Sequence, residues 1–382
     1  QVFENASQLI VSPGVALTEP AIQHAIHKGT EVVGDIELFA REVKAPVIAI
    51  TGSNGKSTVT TLVGEMARQA SIKVAVGGNI GVPVLDLLDH EVALYVLELS
   101  SFQLETLHSL KPVVATVLNL SADHMDRYPG FEDYAKAKAR IFMAAELAVV
   151  NRDDERVMQL VANLKNVIGF TLDQPQAGDF GLCKQDGEIW LCRGAEKLIK
   201  ETVLKLGGRH NTANVLAALA MGDAANIPMP AMLRAIEAFT GLPHRTQWVG
   251  RINGVNWYND SKGTNVGATL AAIDGLTDKR NLILIAGGLA KGADFSVLKS
   301  AVSAKVKQLV LIGRDAGLIE QALKSVVAVH HASSMDSAVQ MAADLAVAGD
   351  YVLLSPACAS FDMFNGFEHR GDMFVAAVEA LI

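Results

Sequence analysis

The chain has 382 residues, half of them apolar and 19% charged, with a formal net charge of -8. That much apolar material excludes general disorder, and the length exceeds what one hydrophobic core serves, so two or three domains are expected. The acidic balance and the lack of a long Lys/Arg run exclude a broad nucleic-acid-binding face, and no apolar run approaches the roughly 18 residues of a membrane span.

The chain opens on Gln1, and its first strong element, Gln8 to Gly14, reads as a late strand of a domain whose beginning is missing. No signal peptide is legible. Cys183, Cys192 and Cys358 lack metal-type spacing, so a reducing cytoplasm is expected, although Cys183 and Cys192 could face each other across a hairpin.

Val47 to Ile50 has the β-branched composition of a buried strand, and the residues from Ser57 to Val63 can continue as a helix. The glycine-rich turn between them, with Gly52, Asn54 and Gly55, offers backbone N–H groups to phosphates at a helix start. Lys56 would add a point charge, and Ser57 a magnesium ligand, with Thr58 beside it. Ile50 stands where the standard P-loop pattern has its first glycine. The bland alternative is an ordinary strand-to-helix turn.

Short apolar runs alternate with helical patterns almost throughout, which predicts α/β architecture with parallel sheets. Lys73 to Val76 leads into Gly77-Gly78-Asn79-Ile80-Gly81; then come Leu94 to Glu98 and Val113 to Asn119. Ligands gather at the carboxyl ends of such strands, so these endings point to one crevice. Residues 170 to 206, with Asp186-Gly187 between apolar runs, read as an antiparallel hairpin insertion. A second α/β unit begins near Gly241, with an Asn253-Gly254 turn and strands at 281 to 285, 308 to 312 and 351 to 354.

Glu98, at a strand tip beside the P-loop, suits a hard cation, or else caps the following helix. His124 lies in a polar loop, 119 to 128, at the same crevice, as a ligand or a phosphate neighbour. If Phe131 to Phe142 is one helix, Lys138 sits on its apolar face with Phe131, Tyr134, Ile141 and Phe142, while Lys136 and Arg140 are solvated. Such a lysine either snorkels or has a depressed pKa and reacts as an amine. Asn211 or Thr212 could serve as a plain N-cap of the Ala/Leu-rich helix that follows.

These residues resemble the Mur ligase family, in its D-glutamate-adding branch. The motifs run along essentially the whole chain: TGSNGKST at 51 to 58, GGNIG at 77 to 81, ELSSFQLE at 98 to 105, DHMDRY at 123 to 128, AKAR around Lys138, HN with Asn214, LPHR at 242 to 245, NDSKGTN at 259 to 265 and SPACASFDMFNGFEHRG at 355 to 371. The family's shortened P-loop accounts for Ile50. The resemblance implies a partial N-terminal Rossmann-like, UDP-binding domain (1–35), a central P-loop ATPase domain (36–241) and a C-terminal Rossmann-like domain (242–382) that takes the amino acid. It implies an ATP-dependent ligase that adds D-glutamate to UDP-N-acetylmuramoyl-L-alanine through an acyl phosphate, in peptidoglycan synthesis, as a cytoplasmic monomer.

Carried over by motif, Lys56 and Ser57 would meet the ATP phosphates and a first magnesium ion, with Glu98 as a metal ligand. His124 and Lys138 would hold a second magnesium, Lys138 as its CO₂ adduct. Asn211, Asn214, Arg245 and Asp260 match nucleotide-side positions. Ser12, Asn79, Gln103 and His244 match positions near the UDP-sugar substrate. Lys262, Thr264, Lys291, Ser360 and Phe367 match the pocket for the incoming amino acid. Phe361 stands there in place of a smaller aliphatic residue.

Overall fold

Continuous apolar runs make stable strands only where both faces of the sheet are covered. The computed structural model, which describes residue 3 and residues 6–381 apart from 124, 126, 206 and 207, meets that condition in two large sheets. The chain divides into two units, Gln1–Leu206 with Asn211–Phe239, and Gly207–His210 with Thr240–Ile382.

In the first unit, β1 (Gln8–Ile10) and β2 (Glu31–Val33) form a parallel pair. The strands β3 (Val47–Thr51), β4 (Val74–Gly78), β5 (Leu94–Glu98), β6 (Val114–Val117), β7 (Leu147–Asn151) and β8 (Val167–Phe170) are mutually parallel. Three more, β9 (Phe180–Gln185), β10 (Glu188–Arg193) and β11 (Glu196–Lys200), complete a nine-stranded sheet of order β11-β10-β9-β8-β7-β6-β3-β5-β4. The stretch expected to be a hairpin insertion therefore extends the sheet. Its turn is as expected, with Asp186 and Gly187 both at positive φ (53° and 79°).

Strand alternation sorts the apolar residues into two cores. Ile48, Ile50, Val96, Val114 and Val149 pack on one face with the helices Lys56–Gln69, Arg209–Ala224 and Met229–Ala238. Val47, Ala49, Leu97, Val117 and Val150 pack on the other with Asp35–Glu42 and Phe131–Ala139.

The second unit repeats this logic. Strands β12 (Gln247–Ile252), β13 (Val255–Asn259), β14 (Leu282–Gly287), β15 (Val306–Ile312), β16 (Ala328–His331) and β17 (Tyr351–Leu354) form a sheet of order β12-β13-β17-β14-β15-β16. All pairs are parallel except β12–β13, joined by the Asn253-Gly254 turn with φ of 50° and 82°. Leu284, Leu309, Leu311 and Leu353 serve one core, and Ile285, Val310, Ile312 and Val352 the other. Register shifts interrupt the β10–β11, β12–β13 and β14–β15 pairings, at Leu191/Cys192, Trp248/Gly250 and Leu282/Ile283.

Three local expectations need correction. The helix from Phe131 ends at Ala139 and tightens into a 3₁₀ turn, Arg140–Phe142. Arg140 is not solvated: its guanidinium donates to the carbonyls of Leu104 (2.7 Å) and Leu107 (2.5 Å). Asn211 and Thr212 are not N-caps, because the helix already starts at Arg209, and Thr212 Oγ1 donates instead to Glu201 Oε1 at 3.0 Å. All three cysteines are free thiols. Among the described residues no helix is long and apolar enough to cross a membrane.

Candidate active site

The turn after β3 requires its glycines. Gly52 and Gly55 have φ of +150° and +82°, and a Cβ on Gly55 would meet Asn214 Oδ1 at 2.3 Å. The turn opens the helix Lys56–Gln69, with Ser57 and Thr58 buried in its first turn, so its N–H groups and the positive helix end serve one spot. Asn214 lies against that turn and its Nδ2 donates to Asn211 Oδ1 at 3.4 Å.

Residues overlooked in the sequence brace this loop. The Ser53 N–H donates to the Asn119 carbonyl (3.0 Å) and the Asn54 N–H to Asn119 Oδ1 (2.8 Å), while Asn119 Nδ2 returns a bond to the Asn54 carbonyl (3.0 Å). Ser53 Oγ donates to the Ser121 carbonyl, accepts from the Ser121 N–H and shares a third hydrogen bond with Tyr134 OH, each at 2.9 Å. Only the position of Asn119 and Ser121 at the end of a strand expected beside the P-loop hinted at this.

Lys56 and Lys138 converge on one oxygen. Lys56 Nζ donates to the carbonyls of Gly52 (2.9 Å) and Ser53 (3.0 Å). Lys138 Nζ donates to the same Gly52 carbonyl (2.9 Å) and to Thr51 Oγ1 (3.3 Å), and lies 4.8 Å from the Tyr134 ring centroid. Lys138 is 2% exposed. Burial first, then repulsion from Lys56, pulls its pKa well below the usual lysine value, against the opposing pull of Asp123 and Glu98. The apolar-face expectation for Lys138 thus holds, and the snorkelling alternative does not.

Glu98 ends β5 and is 2% exposed. Its Oε1 accepts from Asn79 Nδ2 at 2.8 Å, whereas its buried Oε2 has no hydrogen-bond partner among the described residues. It does not cap the next helix. Ser100 does that, in a reciprocal capping box with Gln103. Gln103 Nε2 also donates to Asp35 Oδ2 at 3.0 Å. Ser12 is exposed, next to the β1–β2 pair. His124 lies outside the described residues.

The second unit gathers the remaining candidates. Asp260 follows β13, accepting from Ser355 Oγ (2.7 Å) and the Thr246 N–H (3.0 Å). Loss of hydration pushes its carboxyl up to about 6, against the pull of Ser355, Thr246 and Arg245. His244 (φ 61°) is buried, with Nδ1 3.0 Å from Asn259 Nδ2, and its carbonyl accepts the Lys262 N–H at 3.0 Å. The Thr264 N–H donates to the Lys262 carbonyl at 2.8 Å, and Lys262 Nζ sits 3.7 Å from the Phe367 ring centroid. Leu289 and Ala359 exchange backbone hydrogen bonds at 2.9 and 3.0 Å, which ties the turn carrying Lys291 (φ 48°) to the segment carrying Ser360. Ser360 is buried, but Phe361 is 70% exposed.

Arg370, within the motif at 355 to 371, organises this cluster. Fully buried, it donates to Ser261 Oγ (3.0 Å), the Ser261 carbonyl (2.8 Å) and the Cys358 carbonyl (3.1 Å). Burial lowers its pKa to about 10.

Three family profiles match the chain in order: Mur ligase MurD-like, N-terminal domain, over residues 1–34; Mur ligase middle domain, over 50–222; and Mur ligase, glutamate ligase domain, over 244–358. The UDP-N-acetylmuramoylalanine–D-glutamate ligase of Nitrosococcus oceani is 56% identical over 382 residues, which is all of this chain and 84% of that protein. Its counterpart from Pseudomonas aeruginosa is 55% identical over 379 residues, covering 99% of this chain and 85% of that one. Among solved structures, a pseudomurein peptide ligase type C from Methanothermus fervidus superposes with a TM-score of 0.70 at 16% identity, over 100% of this chain and 88% of that one. MurF ligase from Thermotoga maritima, in complex with ADP, gives 0.69 at 15% identity, over 98% and 95%. Identities this low speak to the fold alone.

Proposed function

The chain belongs to the Mur ligase family, and on that premise we propose that it uses ATP to join D-glutamate to UDP-N-acetylmuramoyl-L-alanine, a step of peptidoglycan precursor synthesis. The observation that carries this reading is identity of 56% along the whole chain to a ligase with that name. The family resemblance adds domain boundaries at 35/36 and 241/242 and a cytoplasmic monomer.

In this reading the loop N–H groups at Gly52 to Thr58 and the Lys56 ammonium bind the phosphates, with Asn211, Asn214, Arg245 and Asp260 on the nucleotide side. Ser12, Asn79, Gln103 and His244 serve the UDP-sugar; Lys262, Thr264, Lys291, Ser360, Phe361 and Phe367 surround the incoming D-glutamate. Ser57, Glu98, His124 and Lys138 would hold two magnesium ions. The fit rests on Glu98, whose buried Oε2 has no donor among the described residues and so suits a hard cation. Magnesium, when bound, offsets negative charge on the phosphate and acyl oxygens.

The L-alanyl carboxylate attacks the terminal phosphorus of ATP, and ADP leaves. The D-glutamate amine then attacks the acyl carbon, the amide forms, and phosphate and a proton depart. Lys138 enters as a carbamate: its neutral Nζ lone pair attacks CO₂ and loses a proton, which turns a buried amine into an anionic oxygen ligand. Its lowered pKa supports this step, since an ammonium has no lone pair to offer.

The test is phosphate release with ATP, magnesium and UDP-N-acetylmuramoyl-L-alanine. Release that requires D-glutamate supports the ligase. Release without an acceptor, or nucleotide binding without turnover, would refute it in favour of an ATP-regulated binding module.

A further inference from the structure

We propose that Asn79 is a positioning residue for Glu98, setting the carboxylate so that its second oxygen is presented to the metal. This rests on the reading of Glu98 as a magnesium ligand. The motif resemblance places Asn79 near the UDP-sugar, yet in this structure its backbone N–H and its side-chain nitrogen are both directed at Glu98. The Asn79 N–H donates to the Glu98 carbonyl at 2.8 Å, and Asn79 Nδ2 donates to Glu98 Oε1 at 2.8 Å. A carboxylate only accepts, so the amide must present nitrogen, and its orientation is not in question. One residue thereby grips both the main chain and the side chain of Glu98.

The preceding glycine makes this grip possible. Gly78 pairs with Glu98 across β4 and β5, has φ of +100°, and a Cβ there would meet the Glu98 carbonyl oxygen at 2.5 Å. Only glycine lets β4 come this close as it turns, and the close approach delivers the next N–H to that oxygen. With Oε1 and the carbonyl occupied, Oε2 is left buried and, among the described residues, unpartnered. A carboxylate restrained at one oxygen cannot rotate away from a cation at the other. Partners of this kind alter metal affinity on the order of 10- to 100-fold.

The test compares Asn79→Ala and Asn79→Ser with the unsubstituted chain, reading Mn²⁺ binding to the ADP complex by electron paramagnetic resonance. ADP binding in EDTA reports that each variant is folded. Mn²⁺ affinity should fall about 10-fold or more, and the magnesium needed for half-maximal activity should rise in parallel. Unchanged Mn²⁺ affinity would overturn the proposal, whatever the variants do to the KM for the UDP-sugar. Glu98→Gln is the second arm. If it loses Mn²⁺ binding while the Asn79 variants keep it, only the positioning role fails. If it too keeps Mn²⁺ binding, the metal reading of Glu98 fails, and the positioning role with it.

Discussion

Lys138 shows how a single side chain changes meaning with its surroundings. Its spacing in the sequence predicts an apolar face but leaves open whether the ammonium escapes to water. The structure buries it against Tyr134, and burial, then repulsion from Lys56, lowers its affinity for a proton despite two oxygen acceptors. Lys138→Ala should abolish D-glutamate-dependent phosphate release, and added bicarbonate should not restore it, since no amine remains to trap CO₂. Full activity in that variant would sink the carbamate. Gly55→Ala places a methyl 2.3 Å from Asn214 Oδ1 at a φ that L-residues avoid; ADP affinity by calorimetry should drop at least ~10-fold, the loss expected where loop N–H groups are displaced from a phosphate. Asp260 gives a pH signature. Its folded pKa, about 6, lies above the ordinary 3.8, so the folded state holds the proton more tightly. Its ionisation therefore costs stability above about pH 6, and that cost disappears as the pH falls towards 4, by up to roughly 3 kcal/mol. Denaturant titrations across that range should show this slope, and Asp260→Asn should flatten it.

At the scale of elements, most strands were legible because a run buried on both faces is apolar throughout, as β3 and β14 are. The hairpin turns were legible too, because Asp186-Gly187 and Asn253-Gly254 each need two positive φ values. The 3₁₀ end at Arg140 was not, since it depends on carbonyls at Leu104 and Leu107, distant in sequence. The loop partners Ser53, Asn119 and Ser121 escaped for the same reason: serines and asparagines near a turn look alike until tertiary contacts choose among them. Core and turn should differ in what they contribute. Leu97→Ala, fully buried on β5, should cost about 2 to 5 kcal/mol. Gly187→Ala, with nothing within 4 Å of the added carbon, should cost only about 1 kcal/mol from its left-handed backbone. Equilibrium unfolding of the two variants checks the ranking.

For the whole molecule, two units, each with its own sheet and pair of cores, predict that heat unfolding is not a single two-state event. Scanning calorimetry should resolve two transitions, with ADP raising the one that belongs to the P-loop unit; one transition with equal calorimetric and van't Hoff enthalpies would contradict this. The register shifts bear on another property of the whole chain. Two of the three occur where a sheet runs out, in the pairing of an outermost strand, β11 or β12, with its neighbour, while the third lies inside the sheet, between β14 and β15. An outermost strand offers unpaired amides to any passing chain, and a kink there spoils the regular spacing that an intruder would need. On β11 the intruder also meets Lys197 and Lys200, whose ammonium groups each lie 5.3 Å from the Trp190 ring centroid. The two defects at the sheet edges thus act as stoppers against lateral growth into aggregates.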